Sequence, residues 1–304
     1  MPLTSSMSVP VSEEDQGLCE GAMDTVTVVV VTHESAHCLH ALDALLSRCP
    51  NVIISDNGSG DGTSTMARQF WAHAIVLDHG RNLGFGAANN RALARVQTPF
   101  AFLLNPDCEI SVEGLRSLLQ AADTFPQGAV IAPQLVSPSG KPEVNYRWPQ
   151  NLWPPRGPAA EGPLCVGFVC GAAMLFRMAL FRDVGFFDEQ FFLYYEDDDL
   201  CLRLFKAGQN IVVVPSVLAV HHSRGSVRGA NPWRHEYGRG YHHAQSKLLF
   251  ASKYRSRDEA MRLRRWLVLT TTLGLPLRAI VFSPKLLARM FGRWRGLINW
   301  RARG

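Results

Sequence analysis

The sequence predicts an α/β fold with a doubly wound, mostly parallel sheet and a helical C-terminal extension. Two observations indicate this class. Apolar runs rich in β-branched residues alternate with helical segments over residues 25–132, and the connectors between them are short. A chain of 304 residues with 47% hydrophobic and 19% charged residues is long and apolar enough for one large domain with an appendage, which excludes a disordered chain.

The first half of the chain justifies this prediction element by element. Residues 25–32 form a continuous apolar run that is almost entirely β-branched, as in a strand buried on both faces of a parallel sheet. Leu39, Leu42 and Leu46 then fall on one face of a helix. The alternation continues as a strand at 51–57, a helix at 65–70, a strand at 74–77, a helix at 86–96, a strand at 100–104, a helix at 111–122 and a strand at 129–132.

The second half has a different order. The segment 148–163 is rich in Pro and Trp, which predicts a loop or crossover. Beyond His222 we expect a flexible segment and then helices. Between residue 163 and His222 the sequence predicts a strand at 170–176 and a short helix at 178–184. It then predicts a helix from Glu196 to Ala207, stopped by Gly208, and a strand at 210–214 that ends at Pro215.

These patterns divide the chain into a flexible N-terminal extension (1–24), an α/β domain (25–226) and a basic amphipathic helical region (227–304). The extension carries three acidic residues at 13–15 and lacks an apolar run, so we do not expect a signal peptide. The most apolar part of the last region, 266–282, is interrupted by Pro276 and Arg278. We therefore expect no membrane span.

Charge is distributed unevenly along the chain. Residues 261–304 contain ten Lys and Arg and no Asp or Glu, so the remainder carries −5 against a total of +5. This asymmetry predicts a local anionic partner, either a membrane surface or a phosphate-bearing substrate, and no general binding of nucleic acid. Basic residues interleaved with Trp and Leu are typical of helices that lie on anionic membranes. A helical packing unit with a solvated basic face is the alternative.

Seven cysteines are scattered along the chain, and no two have CxxC spacing. An odd number without such spacing argues against a zinc site or a disulfide framework. The pattern predicts buried free thiols in a reducing compartment.

Three polar clusters directly follow predicted strands: Thr32-His33-Glu34, Asp56-Asn57-Gly58 and Asn105-Pro106-Asp107. Ligands of doubly wound sheets bind at the carboxyl ends of the strands, where these clusters fall. Asp56 is placed to accept an N–H group from a nucleotide base, and Asp107 offers the oxygen ligands that a divalent cation prefers. Taken singly, the clusters at 56–58 and 105–107 are also explained as turns.

Residues 81–90 begin a predicted helix at the same edge of the sheet. The free N–H groups and dipole of a helix start suit a diphosphate, and Arg81 adds positive charge. Gly84 and Gly86 resemble half of a dinucleotide-binding fingerprint, but Asn89 occupies the third glycine position. This disfavours a Rossmann dehydrogenase.

An acidic run, Glu196-Asp197-Asp198-Asp199, opens a further predicted helix. The helix dipole stabilises carboxylates there, whereas mutual repulsion raises the pKa of one or more of them. We assign Glu196 and Asp197 to catalysis, and Asp199 to a pair with Arg203 within the helix. His221 and His222 follow the last strand. They are either a metal- or phosphate-binding pair or ordinary surface histidines.

In this order the motifs resemble family 2 glycosyltransferases of the GT-A fold, in particular bacterial rhamnosyltransferases and their relatives. The resemblance covers residues 26–226, about two-thirds of the chain. Each motif is modest, and the ordered set is specific. It rests on the runs at 28–32, 56–59, 82–86, 105–107, 171–177, 185–189 and 196–203.

The resemblance implies a role for each matching residue. Asp56 would contact a uracil or thymine base, and Asp197 would be the base that deprotonates the acceptor hydroxyl. Asp107 would bind Mg2+ or Mn2+, with His221 completing the metal site and His222 as its fallback. The donor would lie against Thr32, His33, Glu34, Asp56, Gly58, Arg81, Asn82, Gly84 and Asn105. Two positions depart from the family: His33-Glu34 replaces Tyr-Asn, and Asn105 removes one carboxylate of the DxD motif.

The activity implied by the resemblance is inverting transfer from a dTDP- or UDP-linked sugar, with rhamnose favoured, in cell-surface polysaccharide synthesis. The implied acceptor is a glycan or a polyprenyl-linked glycan. The expected location is cytoplasmic, with residues 261–304 against the inner face of the cell membrane if they bind lipid. Two alternatives stay open. A nucleotidyltransferase is disfavoured because no Gly-rich triphosphate loop follows the first strand, and a degenerate nucleotide-sugar or glycan-binding scaffold is disfavoured by Asp107 and Asp197.

Overall fold

One mixed sheet of nine strands organises the residues that the computed structural model describes, which are 21–144, 146, 158–223, 225, 232–280 and 283–301. The strands are β1 (Val26–Thr32), β2 (Val52–Asp56), β3 (Ile75–Asp78), β4 (Phe100–Leu104), β5 (Cys108–Glu109), β6 (Gly128–Val136), β7 (Leu164–Val166), β8 (Ala173–Arg177) and β9 (Asn210–His221). The helices are α1 (Leu39–Leu46), α2 (Thr63–Phe70), α3 (Phe85–Leu93), α4 (Val112–Thr124), α5 (Glu196–Lys206), α6 (Pro232–Tyr254), α7 (Arg257–Ile280) and α8 (Pro284–Asn299). Short 3-10 helices occupy Ala36–Cys38 and Met178–Phe181.

The first half of the sheet is parallel. Across the sheet the strand order is β3-β2-β1-β4-β8-β6-β9-β5, with β7 paired to β9. β1, β2 and β4 are buried along their whole length. Helices α1 and α4 cover one face of the sheet, and α3 and α5 cover the other. The predicted doubly wound α/β arrangement is therefore confirmed.

The second half of the sheet mixes strand directions. β8 enters antiparallel between β4 and β6, and β9 runs parallel to β6 but antiparallel to β5 and β7. Over the described strands, four neighbouring pairs are parallel and four antiparallel. The predicted parallel character holds for β3, β2, β1 and β4 and for the β6–β9 pair, whereas the pairs formed by β5, β7 and β8 are antiparallel.

The last strand is longer than predicted. We expected it to end at Pro215, but β9 continues to His221. Its pairing with β6 jumps from Val214 opposite Pro133 to Leu218 opposite Gln134. Pro215 lies within this irregularity, where its lack of an N–H group breaks no regular ladder hydrogen bond. It therefore does not terminate the strand. β5 and β7, two and three residues long, carry no recognisable sequence pattern.

The C-terminal helices form a closely packed unit. A Cβ atom at Gly292 or Gly296 of α8 would collide with the carbonyl of Tyr237 or Tyr241 in α6, so the two helices approach at small residues. α7 continues through Pro276. None of the described helices combines the length and apolar character that a membrane crossing requires.

Three of the segments predicted to lack regular structure fall partly outside the described residues. Residues 1–20 of the N-terminal extension, 148–157 of the Pro- and Trp-rich segment, and 224 and 226–231 of the flexible segment lie outside the described residues. Six of the seven cysteines are described, and all six are free thiols. Cys165 is exposed on β7, so the prediction of buried thiols is wrong there.

Candidate active site

A cavity of about 310 Å³ opens at the carboxyl ends of β1 and β4. This edge is where the strand order predicts a ligand site. Nine of the thirteen predicted site residues line the cavity: Thr32, His33, Asn82, Gly84, Asn105, Asp107, Glu196, Asp197 and His221. The other four, Glu34, Asp56, Gly58 and Arg81, are not among its lining residues.

Asp56 lies inside the cavity wall. Its side chain is 1% exposed. Thr32 Oγ1 donates to Asp56 Oδ1 (2.8 Å), and the hydroxyl and N–H of Ser59 donate to Oδ1 and Oδ2 (2.6 and 2.9 Å). Both carboxylate oxygens therefore hold the turn after β2, and the predicted contact with a base stays a prediction.

Glu34 and Gly58 shape the same wall. Glu34 Oε1 accepts the N–H of Gly60 at 2.8 Å. A Cβ atom at Gly58 would lie 2.5 Å from the Cα of Arg81. The turn after β2 therefore needs glycine at this position, because the backbone of Arg81 passes directly against it. Arg81 itself is exposed.

The start of α3 is occupied by contacts within the protein. The N–H of Leu83 donates to Asn57 Oδ1 (2.7 Å), and the N–H of Gly84 donates to Asn82 Oδ1 (2.9 Å). The N–H of Phe85 donates to the carbonyl of Phe192 at 2.9 Å. The prediction that these groups are free for a diphosphate is wrong for residues 83–85, because a neighbouring loop and two asparagines satisfy them.

Asn57 is a structural residue that the sequence reasoning missed. It is 3% exposed, and its amide donates to Asn82 Oδ1 (2.9 Å) and to the carbonyl of Gly84 (3.2 Å). The turn after β2 and the start of α3 are thereby fixed to each other. Its place beside Asp56 was the available signal.

The predicted metal residues lie at the junction of β4, β5 and β9. Asp107 directly precedes β5, and Cys108 of β5 pairs with His221 of β9. The Asp107 carboxylate is largely buried, and Oδ2 accepts the N–H of Gly225 at 2.9 Å. His221 Nδ1 lies 3.3 Å from Glu143 Oε2, and this contact orients the imidazole. Histidines that bind metals are commonly oriented by a carboxylate at their other ring nitrogen in the same way.

These two side chains suit a divalent cation that takes its other ligands from a diphosphate and water. A carboxylate oxygen and an imidazole nitrogen line one cavity, and such sites use few protein ligands. Within the described ranges, no three His, Cys, Asp or Glu side chains gather as a metal cluster. His222, the fallback, instead pairs with Glu109 at 2.8 Å and does not line the cavity.

The acidic run reaches the cavity through an unusual backbone. Tyr194 and Tyr195 both have positive φ, +69° and +68°, a left-handed conformation that costs free energy in a non-glycine residue and often occurs at functional sites. These turns deliver Glu196 and Asp197 to the cavity. Asp197 is the one carboxylate of the run that keeps partial exposure. The Gly171 N–H donates to its Oδ2 (3.3 Å), and the Asp198 N–H donates to its Oδ1 (3.0 Å).

Glu196 is buried beside Asp197. Its Oε2 has no hydrogen-bond partner among the described residues. Burial, and then the charge of Asp197, raise the pKa of Glu196 well above its ordinary value. Glu196 therefore takes up a proton more readily than an exposed glutamate does.

Asp199 belongs to a different environment. It is fully buried and accepts hydrogen bonds from Arg203 Nε (2.8 Å), Lys253 Nζ (2.6 Å) and Tyr254 Oη (2.7 Å). The predicted pair with Arg203 is confirmed. The contacts with α6 were not predicted, because Lys253 and Tyr254 lie more than fifty residues away in sequence.

The C-terminal region also contributes to the cavity, which the sequence reasoning did not anticipate. Arg239 of α6 lines it together with Asp107 and Asp197. Its guanidinium pairs with Glu236, one turn earlier, at 2.9 Å. A single arginine in a basic region gave no signal for this placement.

The chain matches family models over most of its length. The model of glycosyl transferase family 2 matches residues 27–185, and that of glycosyl transferase family group 2 matches residues 157–296. The N-acetylglucosaminyl-diphospho-decaprenol L-rhamnosyltransferase of Mycobacterium tuberculosis is 31% identical over 268 residues, covering 76% of this chain and 85% of that protein. The low-salt glycan biosynthesis hexosyltransferase Agl10 of Haloferax volcanii is 26% identical over 212 residues, covering 66% and 67%.

A solved structure of the same fold is the mannosyltransferase PcManGT from Pyrobaculum calidifontis in complex with GDP-Man and Mn2+. The TM-score is 0.53 at 14% identity, covering 90% of this chain and 85% of that one. The fold and its ligand edge define a GT-A glycosyltransferase. The chain belongs to glycosyl transferase family 2 and is related to rhamnosyltransferases.

Proposed function

We propose that the protein is an inverting glycosyltransferase that moves a sugar, with rhamnose favoured, from a dTDP- or UDP-linked donor. The acceptor is a polyprenyl-diphosphate-linked glycan used in cell-surface polysaccharide synthesis. One observation carries the proposal: Asp197 and Asp107 line the same cavity. The name of the M. tuberculosis relative, which states L-rhamnosyl transfer to a lipid-linked N-acetylglucosamine, supports the choice of sugar and acceptor.

Asp197 acts as the base in this reaction. Its carboxylate removes the proton of the acceptor hydroxyl as that oxygen attacks the anomeric carbon. The new C–O bond forms on the face opposite the bond to the nucleoside diphosphate, which breaks with its electron pair on the leaving phosphate oxygen. One such displacement inverts the anomeric centre. Burial raises the pKa of Glu196, which opposes a second negative charge beside Asp197.

The leaving diphosphate is stabilised by positive charge. Asp107 and His221 would hold Mg2+ or Mn2+, which supplies electrostatic stabilisation of the developing charge. Arg239 adds a fixed cation from α6, on the wall of the same cavity. The nucleoside would lie along Thr32 and His33.

The direct test is release of nucleoside diphosphate. Purified protein is incubated with dTDP-, UDP- and GDP-sugars, a lipid-linked acceptor and Mn2+ or Mg2+. We expect one donor class to yield nucleoside diphosphate and glycosylated acceptor, with activity lost in EDTA and restored by excess metal. Full activity in EDTA would exclude the metal role, and no turnover with any donor would favour the binding scaffold. A nucleotidyltransferase would instead release pyrophosphate from a nucleoside triphosphate.

We further propose that α7 and α8 lie on the inner face of an anionic membrane. Trp266, Leu269 and Leu273 of α7, at helical spacing, are 59–65% exposed. Further exposed side chains of α7 and α8 include apolar ones (Leu286, Leu287, Phe291 and Ile298) and basic ones (Arg262, Arg265, Lys285 and Arg295), beside the exposed Asp258 and Glu259 at the start of α7. Apolar side chains bordered by basic ones suit the headgroup region. We expect the protein to pellet with anionic vesicles at low salt and not with neutral ones; failure to pellet would contradict the proposal.

A further inference from the structure

A second cavity, of about 440 Å³, lies beside the active site. We call it the α6 groove. It lies between the loop before α5, helix α6 and the end of α8. Its lining residues are Gln190, Phe192, Tyr241, His242, Gln245, Ser246, Leu249, Ser252, Lys253, Trp300 and Arg301.

The groove begins where the active-site cavity ends. Phe192 lines both spaces, and its ring stacks on His242 at a centroid distance of 4.2 Å. Arg239, which lines the active-site cavity, precedes His242 by one turn of α6. From Tyr241 to Lys253 the groove follows the helix for about 18 Å, at the rise of 1.5 Å per residue. A ligand that extends from the reacting centre past Phe192 therefore enters this groove.

Its lining suits a phosphate-bearing sugar. Aromatic side chains present flat apolar faces, and Gln190 and Gln245 carry amides. Burial lowers the pKa of His242, which favours the neutral form of the ring that stacks on Phe192. The described lining residues include two cations, Lys253 and Arg301, and no carboxylate. Lys253 is shared between Asp188 and Asp199, which leaves Arg301 as the cation that a ligand phosphate would use.

One wall of the groove, at Trp300, adjoins the helices proposed to lie on the membrane. Trp300 packs with Ala260 and Leu267 of α7. Two residues before Trp300, Ile298 is 39% exposed on α8. A hydrocarbon chain that leaves the groove beside Trp300 would therefore meet the apolar side chains exposed on α7 and α8.

We propose that the α6 groove binds the diphosphate-linked portion of a lipid-linked acceptor, which reaches the active site past Phe192. This inference rests on the proposed function and deepens it: the acceptor is recognised through its sugar diphosphate as well as through the sugar that reacts. The C-terminal helices are then part of the acceptor site, and Arg301 is a residue that binds the acceptor phosphate.

Two variants test the groove. Leu249→Trp fills it, and Arg301→Gln removes its cation at an exposed position where folding is not at risk. Arg257→Gln, which removes an exposed charge outside the groove, is the matched control. The probe is N-acetylglucosaminyl diphosphate on a short water-soluble isoprenoid. We expect both groove variants to raise its KM about tenfold or more, as for loss of a charge-assisted contact, with donor KM unchanged.

A calorimetric titration of the same probe in the absence of donor separates the two proposals. Binding by the wild-type chain that both groove variants weaken supports the groove, even if no donor is turned over and the proposed function fails. Turnover with wild-type acceptor KM in both groove variants, or equal weakening in Arg257→Gln, would overturn the groove while leaving the transferase intact.

Discussion

The two faces of α5 use the same kind of side chain for opposite purposes. Asp197 faces the cavity and keeps partial exposure, whereas Asp199 is fully buried against Arg203, Lys253 and Tyr254. Two residues along a helix turn a side chain by about 200°, so neighbours in the acidic run point in nearly opposite directions. The carboxylates of the run are therefore not one functional unit: burial and partners place Asp197 at the cavity and Asp199 in a buried network.

The largest effect should follow substitution on the cavity face. Asp197→Asn keeps the shape of the side chain but removes the proton acceptor. We expect transfer to fall by a factor on the order of 10² to 10⁴, the usual contribution of a general base. Donor affinity and the unfolding temperature should stay near the wild-type values. Single-turnover transfer and thermal-shift titration with the donor measure the two; undiminished transfer would remove Asp197 from the mechanism.

Substitution of Asp199, on the other face of α5, should lower stability more than activity. Asp199→Asn leaves Lys253 and Arg203 without their buried anion, which we expect to lower the free energy of unfolding by about 3 kcal/mol. Activity per folded molecule should change only a few-fold, because Asp199 does not line the cavity. Urea unfolding and active-site titration measure both quantities.

Asp183→Asn, at an exposed position, is the control for the loss of one carboxylate. Equal loss of stability in Asp183→Asn and Asp199→Asn would contradict the supporting role of the buried network. A thousandfold loss of turnover in folded Asp199→Asn would erase the distinction between the two faces.

The same contrast explains how far the sequence could be interpreted. Residues 25–32 and 100–104 predict buried strands because β-branched and apolar runs fit that environment, and the polar residues after them meet at one edge of the sheet. The pair of Asp199 with Arg203 was predictable because it is local to one helix. Nine of the thirteen predicted site residues do line one cavity.

What could not be predicted depends on contacts between distant segments. Arg239 reaches the cavity only because α6 packs against the loop before α5, where Ser246 donates to the carbonyl of Leu193 at 2.9 Å. Asp56 and the start of α3 look like open ligand sites in sequence, yet Thr32, Ser59 and Phe192 satisfy them. Pro215 is a strand breaker by type, but an irregular pairing accommodates it.

The smallest effect should come from Glu196, which lies on the cavity face but is buried. Its pKa is raised in the folded protein, so below the ordinary glutamate value of about 4.3 both states hold the proton. Above that value the unfolded chain releases the proton first, and the stability of the wild type falls as pH rises through the folded pKa. Glu196→Gln cannot lose a proton and should escape this decline.

The Glu196→Gln variant should therefore match the wild type near pH 4 and become progressively more stable than it at higher pH. The difference in the free energy of unfolding should grow by at most about 1.4 kcal/mol per pH unit. Urea unfolding of both proteins between about pH 5 and 8 measures this difference. If the stabilities of the two proteins changed in parallel with pH, Glu196 would be ionised like an exposed carboxylate. Glu196 and Asp197 would then both be negatively charged in the site.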